Sequence, residues 1–585
     1  MSRRTLGGCV LAVACLVLTA CGVSMPDSGP VHEMTTTGSN RDDQPARIDP
    51  PSPRKGASPE EIVAGFLDAM QETPAVTTSV ARQFLTKEAA DNWQPHGMTI
   101  YGGVIGPRGN NKVEVKLVDA DRTDDRGAWL GPATAAESTL DFPMAFEDGE
   151  YRISQPPDNL LVPTEWFAAR FRQVSLYFFD PTAKILIPEP VFVPRGLQFA
   201  SALVNALLQG PSIPSEQSFF PSGLRSVVSV TVSKAGVAQV DLTSDTSNAA
   251  MPSAPQSELL VSQLAWTLQQ DPTIAKFGVT IDGRTLQLPG ESEFSVDHGH
   301  QYAPYVAGSS TQLFGLRDGL MVGGSPQNLA TVTGPFGRRD YHLRTVSPDM
   351  RADQVAAVNS RGSTLWLGSV KDDGKEPTRL LRGQEDLLRP AWDFMGRVWE
   401  VDRRKTGAVV YYLHKDEMVP LDVPGISGQD VKHFLVSRDG TRLVAVVRQT
   451  AEDDAIVVSR ILSTGDGQVA AAQAVDDITD PGQPESPIRD IAWRSPTSLA
   501  VLRPVDHELL QVYEASVDGA NLNDLSVPVD GSVVSLAGIP VPGEKIYAFA
   551  PATADNTSAV LIDLAGPRAN QIDIDPPVTF LAYTG

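Results

Sequence analysis

The C-terminal half of the chain carries a spacing that few folds can satisfy. Ser347 in VSPDMRADQVAAV, Trp392 in AWDFMGRVWEV and Ser437 in VSRDGTRLVAVV lie 45 residues apart each time. Trp493 in AWRSPTSLAVL follows after 56 residues, across an insertion rich in Gly, Asp and Pro, and Gly538 in GIPVPGEKIYAF after a further 45. Each unit places a turn containing Asp, Gly or Pro ahead of a short apolar strand. Repeats of this length and order predict propeller blades of about four strands. Residues 300–585 then divide into about six blades, with five or seven also allowed by the length. A β-sandwich would use similar strands but gives no reason for the recurring interval.

At the other end, Arg3 and Arg4 precede an apolar segment over residues 7–20 that finishes in Leu18-Thr19-Ala20-Cys21. Its 14 residues fall short of the roughly 20 needed to span a bilayer, which predicts a cleaved signal peptide over residues 1–20. The small residues before the cysteine resemble a bacterial lipobox. The resemblance implies cleavage between Ala20 and Cys21, a diacylglyceryl thioether on Cys21 and acylation of the new amino terminus. Two or three buried chains, at about 0.8 kcal/mol per methylene, anchor where one does not. An ordinary secretory signal with a chance cysteine is the alternative. Ser2-Arg3-Arg4-Thr5-Leu6 is a weak twin-arginine match, so Sec and Tat export both stay open.

Loss of residues 1–20 removes two arginines and no acid, taking the formal charge from −23 to −25. A chain that acidic is a poor fit for nucleic acid and is repelled by anionic headgroups, so membrane attachment must come from acyl chains. Cys9 and Cys15 leave with the signal and Cys21 carries lipid, so no thiol remains for a disulfide. No other apolar run approaches spanning length, which places the mature chain on the extracytoplasmic face of the cell membrane. At 585 residues, about three domains are expected.

Residues 21–57 are expected to be a disordered, Pro-rich tether. Pro26, Pro30, Pro45, Pro50, Pro51 and Pro53 stand among Ser, Thr and Asp, with almost nothing apolar to bury. Such a coil reaches about 30–35 Å. Residues 58–165 read as a small α+β domain. Ser58-Pro59-Glu60-Glu61 has the order of a capping box, and Ile62, Phe66, Ala69 and Met70 follow at helical spacing. The glutamates read as caps, not as an acid/base pair. A second helix is expected near residues 86–93. Val113, Val115 and Leu117 then alternate, and Phe142, Met144 and Phe146 lead through Asp148-Gly149 to Tyr151 and Ile153, a hairpin signal. Helices followed by an antiparallel sheet suggest the cone-like nuclear-transport-factor type.

Residues 170–295 alternate strand and helix patterns. A strand opens at Val174, and a helix with Phe199, Leu203, Ala206 and Leu207 on one face stops at Gly210-Pro211. Val228, Val230 and Val232 alternate on one strand, and Val240 and Leu242 on its partner. A second helix follows Pro255, and Phe277, Val279 and Ile281 run into Asp282-Gly283. Leu208-Gln209-Gly210-Pro211, Val240-Asp241-Leu242 and Thr280-Ile281-Asp282-Gly283 fall in the order found in the α/β GerMN domain of sporulation and envelope proteins. The region closely resembles that domain, which implies an assembly or interaction module without a catalytic residue to carry over.

Lipobox, tether, helix-first domain, GerMN and propeller in this order resemble the LpqB lipoproteins of actinobacteria. The resemblance implies a membrane-anchored accessory protein that engages the extracellular domain of the MtrB sensor histidine kinase. Through it the protein modulates the MtrA response regulator, which affects cell-wall homeostasis and division. No contact residue and no cofactor follow from the resemblance.

Catalytic patterns are few. No G-x-x-x-x-G-K-[ST] loop is present to cradle phosphates. Gly425-Ile426-Ser427-Gly428 lacks the last glycine of a nucleophile elbow and reads as a turn. In His507-Glu508-Leu509-Leu510-Gln511, Gln511 replaces the second zinc ligand. His298 and His300 stand two apart, so on a strand they could share a metal, but no third nitrogen or sulfur ligand lies in that stretch. A surface linker is the plainer reading. Arg338, Arg339 and Arg344 with Tyr341 and His342, and Arg403-Arg404-Lys405, are basic islands on an acidic chain. As blade-edge loops they are solvated charge, and they are the better candidates for partner contacts. The sequence thus predicts a non-enzymatic binding protein. The alternative is an exported enzyme acting on cell-wall glycan or peptide in the propeller channel. Solute capture for a transporter lacks the two-lobed pattern it would need.

Overall fold

The computed structural model describes residues 50–71, 78–108, 111–196, 198–226, 230–244, 251–478, 486–506, 508–520, 526–553, 557–565 and 570–585. The signal, Cys21 and the tether up to residue 49 lie outside the described residues. Helix α1 (Pro59–Ala69) starts on its capping box: Glu61 N donates to Ser58 Oγ at 3.2 Å, and Ser58 N to Glu61 Oε2 at 2.8 Å. Ile62, Val63 and Phe66 are buried. The second predicted helix is α2 (Lys87–Asn92), capped by Thr86.

These helices pack on a mixed sheet of β1 (Met98–Arg108), β2 (Lys112–Thr123), β3 (Trp129–Pro132), β4 (Thr139–Glu147), β5 (Glu150–Ile153) and β6 (Leu160–Pro163). The order is β5-β4-β2-β1-β6, with β3 also on β2 and β6 parallel to β1. Val113, Val115 and Leu117 point into the core, as their alternation requires. Asp148 and Gly149, at φ 51° and 85°, form the β4–β5 hairpin. Its tip departs from expectation. Phe142 is buried, but Phe146 is 67 % exposed and meets Tyr151 edge-on at 5.1 Å.

Helix α3 (Thr164–Arg170) runs directly into β7 (Phe171–Phe179), which forms a hairpin with β8 (Leu186–Pro194). Phe167 stacks on Phe171 at 4.8 Å and packs against Phe192 at 5.1 Å, so the first and middle regions share an aromatic seam. Beyond lie α4 (Phe199–Leu208), β9 (Leu224–Ser226), β10 (Thr231–Val232), β11 (Val237–Ser244), α5 (Ala254–Leu268), β12 (Lys276–Ile281), β13 (Arg284–Thr285) and β14 (Glu293–Ser295). Parallel pairing of β11 with β12 across α5 makes a βαβ unit whose core holds Val240, Leu264 and Val279. The valine strand differs from expectation. Val230 is buried, Val232 is exposed on β10 and Val228 lies outside the described residues, so of the three valines Val232 alone falls on a described strand, and β9 and β10 both run antiparallel to β11.

Among the described residues, six four-stranded sheets follow. Their first strands are Leu343–Pro348, Ala391–Trp392, Val431–Val436, Asp490–Ser495, Ser535–Ala537 and Phe580–Ala582. Each touches the next and the last returns to the first, so the sheets are blades around a closed ring. Phe580–Ala582 pairs with Leu313–Arg317, through Gly315 and Leu581, and so supplies the innermost strand of the blade whose other three strands come from residues 313–331.

Candidate functional site

The recurring landmarks all lie on an innermost strand or one residue beyond it. Trp392 Nε1 donates to Ser347 O at 2.7 Å, and Trp493 Nε1 to Val436 O at 3.1 Å, so each indole ties its strand to the preceding blade. Ser347 Oγ donates to Gly585 O at 3.2 Å. Gly538 packs so closely that a Cβ there would overlap the Trp493 carbonyl oxygen. The 45-residue interval is therefore the sequence trace of one position per blade that contacts its neighbour around the channel.

A cavity of about 20 Å³ lies among the innermost strands, lined by Arg389, Arg438, Trp493, Gly538, Thr584 and Gly585 among others. That is room for about one or two waters. No Asp or Glu side chain lines it. Arg438 donates to Tyr305 O and Thr584 O, each at 2.9 Å, and burial pushes its guanidinium down to about 9. Arg389 lies over the Phe580 ring at 5.9 Å and has no hydrogen bond or ion pair among the described residues.

Around the end where the innermost strands begin, charges are grouped. Asp386 accepts from Arg344 at 2.7 Å and from Arg403 Nε at 2.9 Å, and Arg404 Nε donates to Asp402 at 2.6 Å. His433 Nδ1 lies 3.3 Å from Asp490, whose other oxygen accepts from Leu536 N at 2.7 Å. Burial pushes Asp490 up and His433 down, which disfavours the ionised form of each. The first basic island is split by the fold. Arg338 pairs with Asp372 at 2.9 Å, Arg339 lies over Tyr341, and Tyr341 Oη donates to Glu376 at 2.6 Å, while Arg344 joins the second island through Asp386.

The opposite end is occupied. Arg442 donates to Pro188 O at 2.7 Å, and Arg460 lies 3.3 Å from Glu216 and 3.8 Å from Glu189. Arg126, on the turn between β2 and β3, reaches the same cluster at 3.1 Å from Glu189 and 2.9 Å from Gly210 O. Sequence reasoning had no signal for this junction, because its charges come from three separate regions of the chain.

The remaining candidates are dispersed. Cys21 and His507 lie outside the described residues. His298 Nε2 lies 3.0 Å from Glu258 on α5, whereas the His300 ring faces Tyr305, so the two imidazoles have different partners. Among the described residues no group of three or more His, Cys, Asp or Glu is placed to hold a metal ion, and no helix is long and apolar enough to cross a membrane. Ser427 Oγ accepts from Val423 N at 2.9 Å and donates to Leu421 O at 3.3 Å, so the near-elbow is a turn closed on its own backbone.

Three family models match in the order of the three regions. Residues 52–168 match "Lipoprotein LpqB, N-terminal domain", residues 175–287 match "Sporulation and spore germination", the GerMN family, and residues 319–549 match "Lipoprotein LpqB beta-propeller domain". The chain belongs to the LpqB lipoprotein family. It is 27 % identical to the lipoprotein LpqB of Cutibacterium acnes, over 92 % of this chain and 93 % of the relative. LpqB of Thermobifida fusca is 26 % identical, over 91 % and 93 % of the two chains. Among solved structures the chain is similar to TolB from Acinetobacter baumannii, with a TM-score of 0.34 and 12 % identity over 55 % of this chain and 85 % of that one.

Proposed function

We propose that this LpqB-family protein is a lipid-anchored, extracytoplasmic accessory protein that binds the extracellular domain of an MtrB-type sensor histidine kinase. By doing so it modulates two-component signalling in envelope homeostasis and division. The observation that carries the reading is the use of the propeller's two ends. The middle domain is bound to one, charged side chains are grouped at the other, and the cavity among the innermost strands measures about 20 Å³. That volume is far smaller than a sugar ring, which favours a docking role over a wall-glycan or peptide site in the channel. Cys21 supplies the anchor in this reading, and the acidic charge of the mature chain leaves acyl chains as the means of attachment.

The test is recovery of a sensor kinase with the tagged protein from detergent-solubilised membranes. The kinase is expected in the wild-type eluate and in crosslinks to the propeller. Its absence from both would overturn the proposal.

A further inference from the structure

On a chain with 71 acids and 48 Lys and Arg, a place where cations outnumber carboxylates is informative. One lies at the open end of the propeller, where the second and third blades meet. Residues 342–344, 360–363, 383–390 and 402–408 carry Arg344, Arg361, Arg389, Arg403, Arg404 and Lys405 against Glu385, Asp386 and Asp402, with Asp490 acting on Arg389. Asp386 is shared between Arg344 and Arg403, Asp402 is taken by Arg404, and Glu385 accepts from the Lys405 backbone at 3.1 Å. Arg361 and Lys405 are exposed.

Arg389 stands apart. It lines the channel cavity, rests on the Phe580 ring, and has no acceptor among the described residues. Burial already holds its guanidinium below the usual range. Asp490 is the carboxyl that acts on it, but burial pushes Asp490 toward its neutral form, and a hydrogen-bonded carboxylate at Arg389 would offset the cost of its burial through paired, charge-assisted hydrogen bonds. The acidic remainder of the chain repels an acidic partner elsewhere, which directs it to this face.

We propose that this open face, between the second and third blades, docks an acidic segment of the protein partner, with one carboxylate of that segment set on Arg389 at the channel mouth. The inference rests on the partner-binding function proposed above and names the surface that performs it.

The test uses the full-length chain made soluble by Cys21→Ala, with two probes: a fluorescein-labelled octaglutamate peptide and the purified extracellular domain of the kinase. Arg389→Gln is expected to weaken both by tenfold or more. The double variant Arg361→Glu, Lys405→Glu should weaken both and flatten the salt dependence of binding. Lys371→Glu, a side chain 77 % exposed at the propeller's other end, should change neither. Unchanged unfolding midpoints exclude misfolding as the cause. A kinase domain that binds wild type and face variants alike overturns the docking face while leaving the proposed function standing. A kinase domain that binds nothing overturns the proposed function, and octaglutamate still decides the face: no binding, or equal binding to all variants, overturns it. Capture of phosphatidylglycerol vesicles in place of octaglutamate, lost in the same variants, would overturn it in favour of a lipid.

Discussion

Gly538 shows why the interval between blades could be read from sequence. With Ala there, Cβ would press on the Trp493 carbonyl of the preceding innermost strand, and backbone on both sides leaves no flexible side chain to yield. Gly538→Ala is expected to cost about 1–3 kcal/mol, seen as a lower urea midpoint at an unchanged slope. Trp493→Phe removes the hydrogen bond to Val436 while keeping most of the ring, and should cost about 1 kcal/mol. Local pattern was a poorer guide where it offered spacing without a partner. His298 and His300 stand two apart, but Glu258 and Tyr305 draw them to different neighbours. Cys21 belongs to this scale as well. Cys21→Ala should release the folded protein from membranes, and a variant that stays with them after a salt wash would refute the lipid anchor.

Elements were legible where chemistry is local. The capping box at Ser58 and Glu61 fixes the start of α1 through contacts three residues apart, and Ser58→Ala should lower stability by about 1 kcal/mol in chemical denaturation. The hairpin at Asp148-Gly149 was equally readable, because residues with φ above zero select those types. Innermost strand Phe580–Ala582 was not, since three residues carry no period and its partner Leu313–Arg317 lies more than 260 residues earlier. Its burial makes a sharp test of ring closure. Leu581 is 1 % exposed in a cluster with Leu313, Val322 and Tyr547. Leu581→Ala should cost about 2–5 kcal/mol and expose the seam between the sixth and first blades to proteolysis before the other blades are cut.

At the scale of the whole molecule, domain order was readable but domain contact was not, because Arg126, Glu189, Glu216, Arg442 and Arg460 look like ordinary surface charges in sequence. Folded, Arg126 and Arg460 converge on Glu189, Arg460 also reaches Glu216, and Arg442 holds the Pro188 carbonyl. Arg460→Met would leave the buried Glu189 carboxylate with Arg126 as its remaining cation among the described residues, a change worth about 1.5–3 kcal/mol. The two carboxyl groups of the node are driven in opposite directions. Glu216 Oε2 is buried with no donor beside it, and burial, then the neighbouring Glu189, push its carboxyl well above the usual range. Glu189, held by Arg460, Arg126 and Ser212, is lowered despite its burial. Of the two carboxyl groups, Glu216 is thus the one pushed toward its neutral form and Glu189 the one held ionised. A carboxyl whose folded pKa is raised makes the folded state bind more protons than the unfolded chain. Its stabilisation is full below the unfolded value, near 4.5, and is lost as pH rises through the folded one. Glu216→Gln keeps the size of the side chain and cannot ionise. Its unfolding midpoint should match wild type near pH 4.5 and exceed it increasingly toward pH 8, while Glu400, which burial also raises, contributes equally to both proteins and cancels. Parallel pH profiles for the two proteins would show that Glu216 is not raised and make the junction a plain ion pair.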